Sequence, residues 1–233
     1  MILFKDIYER AIKLFDDPAI KYKYYDDPVG FDQLMFKYLM VAKNKFTSPT
    51  AITNKFCEYS EPEGVEESFD GNGSDTYVLE SQVPNKGKGV TFLFKIKDKS
   101  VGGTYNSVDN SVTFSQRVKN GEPCSVTWSF AGAFTANFTN CFRSDFDASA
   151  IIDKVITILA YALVSTWGDE EVGRALEVRN ILTDTDFNLL SPANSARAKV
   201  DWRDKMNENM DSLNSELNWT IFSTPRGGSR FGK

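Results

Sequence analysis

Apolar positions along this chain change period twice. From the start they fall at Ile2, Leu3, Phe4, Ile7, Ala11, Ile12 and Phe15, the three-and-four spacing of a helix face. Asp16, Asp17 and Pro18 stop that run. A second helix is predicted from Asp27, a cap, and Pro28, which tolerates a first turn. Its stripe is Phe31, Leu34, Met35, Tyr38, Leu39 and Ala42. Aromatics and methionine at helical spacing read as core rather than as a partner groove. Thr47 to Ala51 then loosens the chain.

Between Cys57 and Cys141 the period shortens. This stretch opens with Glu58, Glu61, Glu63, Glu66, Glu67, Asp70, Asp75 and Glu80, and holds no lysine or arginine among them. Such a run reads as a solvated loop, and around a channel it would repel DNA phosphates. Alternating segments follow at 76–83, 89–97, 111–117 and 123–134. Turn chemistry separates them at Asn85 to Gly87, Val101 to Gly103 and Lys119 to Glu122. The expectation is a small antiparallel β domain inserted into a helical one, because helix flanks it on both sides.

After that the helical period returns. Asp147 can cap a helix carrying Ile151, Ile152, Val155, Ile158, Leu159, Ala162 and Leu163, apolar nearly all round and so central. A break is expected at Trp167 and Gly168, with helix resuming from Glu170 to Asn180. The most specific grammar comes next. Asp184, Asp186 and Phe187 form a polar turn over one aromatic anchor, and Ser191 with Pro192 starts a long helix. Its face runs through Ala193, Ala196, Val200, Met206, Met210, Leu213 and Leu217. With no chemical constellation in it, this box reads as something that docks a helix. From Asn218 periodicity fades, and Arg226, Arg230 and Lys233 make the last stretch basic.

Composition then narrows the chemistry. No histidine occurs, which excludes histidine-based triads and removes the commonest metal ligand. Acids are plentiful, but no spacing singles out a catalytic pair. Cys57, Cys124 and Cys141 are far apart, without the close pairing that starts a zinc site, and read as reduced, buried thiols. The expectation is a non-enzyme with no cofactor and no metal. A net charge of −5 disfavours broad binding to nucleic acid or anionic membrane. Lys5, Asp6, Glu9 and Arg10 follow too early for a secretory signal, and the apolar run 155–167 is too short to span a bilayer. A soluble protein made in the cytoplasm is expected.

Two motifs fail on their own terms. Gly227 to Lys233 has phosphate-loop spacing but lacks the hydroxyl residue that should follow. Asp70, Asn72 and Ser74 suggest a calcium loop, yet its twelfth position would be Ser81 rather than glutamate; a surface turn is the better reading. The basic stretch is read as an arm ordering against an acidic neighbour, because Trp219, Ile221, Phe222 and Phe231 give it something to bury.

Three stretches carry a likeness. They are Phe4 to Ala11 with Phe15 to Pro18; Asp27 to Leu39, with Gly30, Phe31, Leu34, Met35 and Tyr38; and Thr185 to Asn194 before the long helix. Together they resemble the ring or neck proteins of crAss-like and related tailed bacteriophages. The resemblance covers the helical framework at both ends and not the β insert; joined to the β reading above, the expected fold is α+β, a helical connector-type bundle built from both chain ends with a small antiparallel β domain inserted. The division would be 1–56 and 147–217 for the framework, 57–146 for the β insert with its acidic loop, and 218–233 for a basic extended arm. It also implies a structural virion protein in the neck, forming a twelvefold ring with itself. The ring would join the portal protein to adjacent neck or tail ring proteins and line a channel for double-stranded DNA, read without sequence specificity and with no membrane. Asp186, Phe187, Ser191, Pro192 and Asn194 would then be the docking residues, and Trp219, Phe222, Arg226 and Arg230 the inter-subunit arm. An alternative is a carbohydrate- or receptor-binding virion protein using Trp128, Tyr105 and Phe130 as a platform.

Overall fold

A computed structural model describes residues 1–47, 49–138, 147–183 and 192–222, with side chains outside 175–183, 192–196 and 222. It mixes helix with small antiparallel sheets, an α+β arrangement. The contacts divide it into two units. A β-rich unit holds Ile2–Lys37 and Tyr59–Thr135, and a helical unit holds Tyr38–Glu58 with the described residues from 136 onward.

The β-rich unit begins with β1 (Ile2–Leu3), α1 (Phe4–Leu14), α2 (Pro18–Asp26) and α3 (Pro28–Ala42), the last giving its residues through Lys37. Its other strands are β2 (Tyr59–Ser60), β3 (Glu63–Asp70), β4 (Thr76–Val78), β5 (Val90–Ile96), β6 (Lys99–Val101), β7 (Gly103–Asn106), β8 (Ser111–Phe114), β9 (Pro123–Phe130) and β10 (Ala133–Phe134). Three sheets result, ordered β1-β10-β2, β3-β9-β5-β6 and β4-β8-β7. Strand β9 shows why the largest one forms. Cys124, Val126, Trp128 and Phe130 alternate inward, while Ser125, Thr127 and Ser129 point to the opposite face. The inward row joins Tyr77, Leu79, Val112 and Phe114 in one core cluster. Phe94 and Phe114 meet edge to face at 5.5 Å, an arrangement the ring quadrupoles favour.

Four sequence expectations change here. The first residues join the sheets: β1 pairs with β10, and the Phe4 ring meets Phe134 edge to face at 4.8 Å. The N-terminal helices α1 and α2 and most of α3 therefore belong with the sheets, and the division does not follow 1–56. An unpredicted helix, α2, follows the expected stop, because Asp17 accepts the Ala19 N–H at 2.8 Å and caps Pro18. The acidic stretch contains β3, not only a loop, paired residue for residue with β9. Finally, β5 turns into β6 through Lys97 and Asp98, both at positive φ (48° and 63°), the two-residue hairpin geometry that matches strand twist.

The helical unit contains α4 (Thr50–Thr53), α5 (Ala148–Thr183) and α6 (Pro192–Phe222). Asp147 accepts the Ser149 N–H at 2.9 Å, capping α5. Ile151, Val155, Ile158, Leu159, Ala162 and Leu163 are all buried. Ala148–Arg174 is long and apolar enough to cross a membrane by length and composition, a longer stretch than the run singled out in sequence. Its most apolar window is 56% buried. On α6, Met206, Met210 and Leu217 form the buried row.

No break occurs at Trp167 and Gly168, where α5 runs through. A Cβ on Gly168 would lie 2.9 Å from the Trp202 ring. The glycine is there to admit α6, not to kink α5. Trp167 and Trp202 then meet at right angles, centroids 6.0 Å apart.

Candidate assembly surface

Most of the expected docking box cannot be placed. Asp186, Phe187 and Ser191 lie outside the described residues, as do Arg226 and Arg230. Pro192 is the first residue of α6, and Asn194 stands in its first turn. Trp219 and Phe222 differ from expectation, since α6 continues through both and no extended arm begins at Asn218. Leu217, fully buried, holds the helix down beyond that point. Lys154 Nζ on α5 reaches Glu216 Oε1 at 2.6 Å and ties the same turn. Two residues after Leu217 a helix has rotated well off its buried face, so Trp219 projects outward and is 77% exposed.

One band of charge links α5 to α6 and to the residues after α3. Lys45 Nζ donates to Ser165 Oγ at 2.9 Å and to Asp169 Oδ2 at 2.8 Å. Ser165 Oγ donates to Asn207 Oδ1 on α6 at 2.5 Å. Glu171 pairs with Lys199 at 2.9 Å and with Arg174 at 2.8 Å. Glu170 accepts from the Tyr38 hydroxyl and from Arg174. Burial first, and the Glu170 bond second, push Tyr38 up to about 12. Every acid named here has a cation or hydroxyl beside it, so the band staples the helices together. Solvent screens the exposed pairs, so each adds little to stability.

The β-rich unit overturns the aromatic-platform alternative. Trp128 and Phe130 are buried and Tyr105 packs against the same core, its ring stacked on Phe92 at 4.9 Å. The alternation of β9 turns Trp128 and Phe130 inward. Trp128 Nε1 donates to Ser81 Oγ at 2.8 Å, and Glu67 accepts the Ser81 hydroxyl. Glu67 also accepts the N–H groups of Glu80 at 2.8 Å and Ser81 at 2.9 Å. Burial works to raise the Glu67 carboxyl, but these donors outweigh it and hold it below its ordinary value. The buried Asp32, on α3, accepts from Ser129 Oγ at 2.6 Å. Burial dominates there and lifts its pKa to about 6, against the pull of Ser129 and Lys5. Of the thiols, Cys124 is buried but Cys57 is exposed, contrary to expectation, and Cys141 lies outside the described residues.

The outward face of β3-β9-β5 is covered by α3 at Ser129 and opens towards Ser125. A cleft of about 360 Å³ is lined there by Glu66, Ser68, Asp70, Lys95, Lys97 and Ser125, among others. Beside it runs β3, the longest edge strand of the unit, paired on one side only. Its acids sit on both faces: Glu66 and Asp70 share the outward face, while Glu63 and Glu67 share the other with Val65. Val65 is 38% exposed despite facing inward. Sequence reasoning missed this edge because the density of acids outweighed a faint period-two signal, Val65 to Phe69. Comparison with protein-family models, curated proteins and solved structures returns no match.

Proposed function

We propose that this chain is a structural virion protein of a tailed bacteriophage, assembled as a ring in the neck. It joins portal and head to tail and lines the channel through which double-stranded DNA passes. A helical connector-type framework, a twelvefold count and contacts with the portal and adjacent rings are parts of that reading. It rests on the resemblance of the three sequence stretches and on one structural observation: the chain presents two unlike outward features. One is an acidic, one-sided edge strand, β3. The other is a long helix ending in an exposed tryptophan, followed by a basic segment. A closed ring needs a heterologous interface, in which each copy offers its neighbour two different surfaces. The net charge of −5 suits a channel that DNA slides through without sticking.

Native mass spectrometry of the purified full chain, alone and coproduced with a portal protein, tests the reading. A discrete closed oligomer, twelvefold with the portal, is expected. A chain that stays monomeric and binds one partner at 1:1 would instead be an adaptor.

A further inference from the structure

The outer edge of β3 is built like a docking strand. In an antiparallel strand, alternate residues aim their N–H and C=O groups to the same side, so about half of the backbone groups in Glu63–Asp70 face away from β9. Among the described residues no strand pairs with that side. Glu63, Gly64, Val65, Glu66, Ser68 and Asp70 are exposed. The nearest cations of the same sheet, Lys95 in β5 and Lys97 just after it, line the outward cleft with Glu66 and Asp70 from two strands away, about 10 Å across the backbone. Such an edge repels another acidic edge and suits a basic strand.

One segment of this chain has the matching pattern. Residues 223–233 carry Arg226, Arg230 and Lys233 and no acid. Arg226 and Arg230 are four apart, as are Glu66 and Asp70. Laid antiparallel with Arg230 against Glu66, the same register sets Arg226 against Asp70, Lys233 against Glu63, and Phe231 against the half-open Val65. One register thus satisfies three charges and one apolar contact, on the correct faces of a period-two strand. Gly227, Gly228 and Gly232 carry little strand propensity of their own, so the strand proposed here draws on the edge it pairs with.

We propose that the outer edge of β3 receives residues 226–233 of a neighbouring copy as an added antiparallel strand in this register. The inference rests on the ring reading, since it names the contact by which one copy holds the next.

The test uses the full chain carrying a photoreactive benzoylphenylalanine in place of Phe231. Isotopically light and heavy chains are mixed in equal amounts, irradiated and digested, with native mass recorded on the same sample. The expected result is a cross-link from position 231 to residues 63–67 in mixed-isotope pairs. Charge reversal of the edge, Glu66→Arg with Asp70→Arg, should lower its yield at least about tenfold. Adding Arg226→Glu with Arg230→Glu should restore it. Closed rings whose cross-link lands elsewhere would overturn the β3 contact and leave the ring standing. A mixed-isotope cross-link at β3 in species that never close would do the reverse. Cross-links found only within one chain, or none, would overturn the proposal.

Discussion

Asp32→Asn should stabilise the β-rich unit at neutral pH and flatten its response to pH. The Asp32 carboxyl is buried and accepts a hydrogen bond from Ser129 Oγ at 2.6 Å. Around it stand Lys5 and Tyr8 of α1, Tyr24 of α2 and Ser129 of β9. Burial raises its pKa from 3.8 to about 6, because Ser129 and Lys5 do not repay the lost hydration. Between those values the folded unit keeps a proton that the unfolded chain releases, so stability falls as pH rises. Below the window both states are protonated and the cost vanishes. Above it the full cost applies, a little over two pH units at about 1.36 kcal/mol each, or about 3 kcal/mol. Asparagine keeps the shape and an acceptor for Ser129 but cannot ionise. Native-state hydrogen exchange on the β9 amides, corrected for intrinsic rates, reads the opening free energy of this unit. At about pH 7.5 the variant should be the more stable by up to about 3 kcal/mol, the gap closing towards about pH 4. Equal or lower stability of the variant at neutral pH, with an unchanged slope, would refute the reasoning.

Other outcomes follow from the same geometry. Trp128→Ala removes a buried indole and leaves Ser81 without its donor; a loss of about 3–5 kcal/mol in urea unfolding is expected. Gly71→Ala puts a Cβ 2.0 Å from the Lys119 carbonyl oxygen, which is backbone and cannot swing away. A loss of about 1–3 kcal/mol should appear in the same assay. Trp219→Ser should change the stability of the helical unit by less than about 0.5 kcal/mol, since the ring is exposed, while native mass shows weakened self-assembly. Ending the chain after Phe222 should leave both units folded by circular dichroism yet reduce assembly; normal rings from that chain would show that residues 223–233 are not a tether.

Much of the fold was legible where one side chain dictates one structure. Asp27 and Pro28 start α3, Asp147 caps α5, and alternation in 123–130 gives β9. The failures have physical causes. Glycine at 168 looked like a break because sequence does not show which helix needs its missing side chain; the answer, Trp202, is thirty-four residues on. The acids of β3 looked like a loop because an edge strand needs few apolar residues, and Glu67 spends its charge on the N–H groups of Glu80 and Ser81. The partition of the N-terminal helices was unreadable, since the pairing of Ile2 with Phe134 is a long-range register. For the assembly residues, composition marked Trp219 as something with surface to bury, but the buried Leu217 that fixes it at the end of a helix came only from the structure.

The most direct measurement is electron-microscopic class averaging of the purified full chain, by itself at about micromolar concentration and coproduced with a phage portal protein. The account expects closed rings of uniform copy number around an open centre, twelve where the portal is present. Single particles of one subunit under both conditions would contradict it.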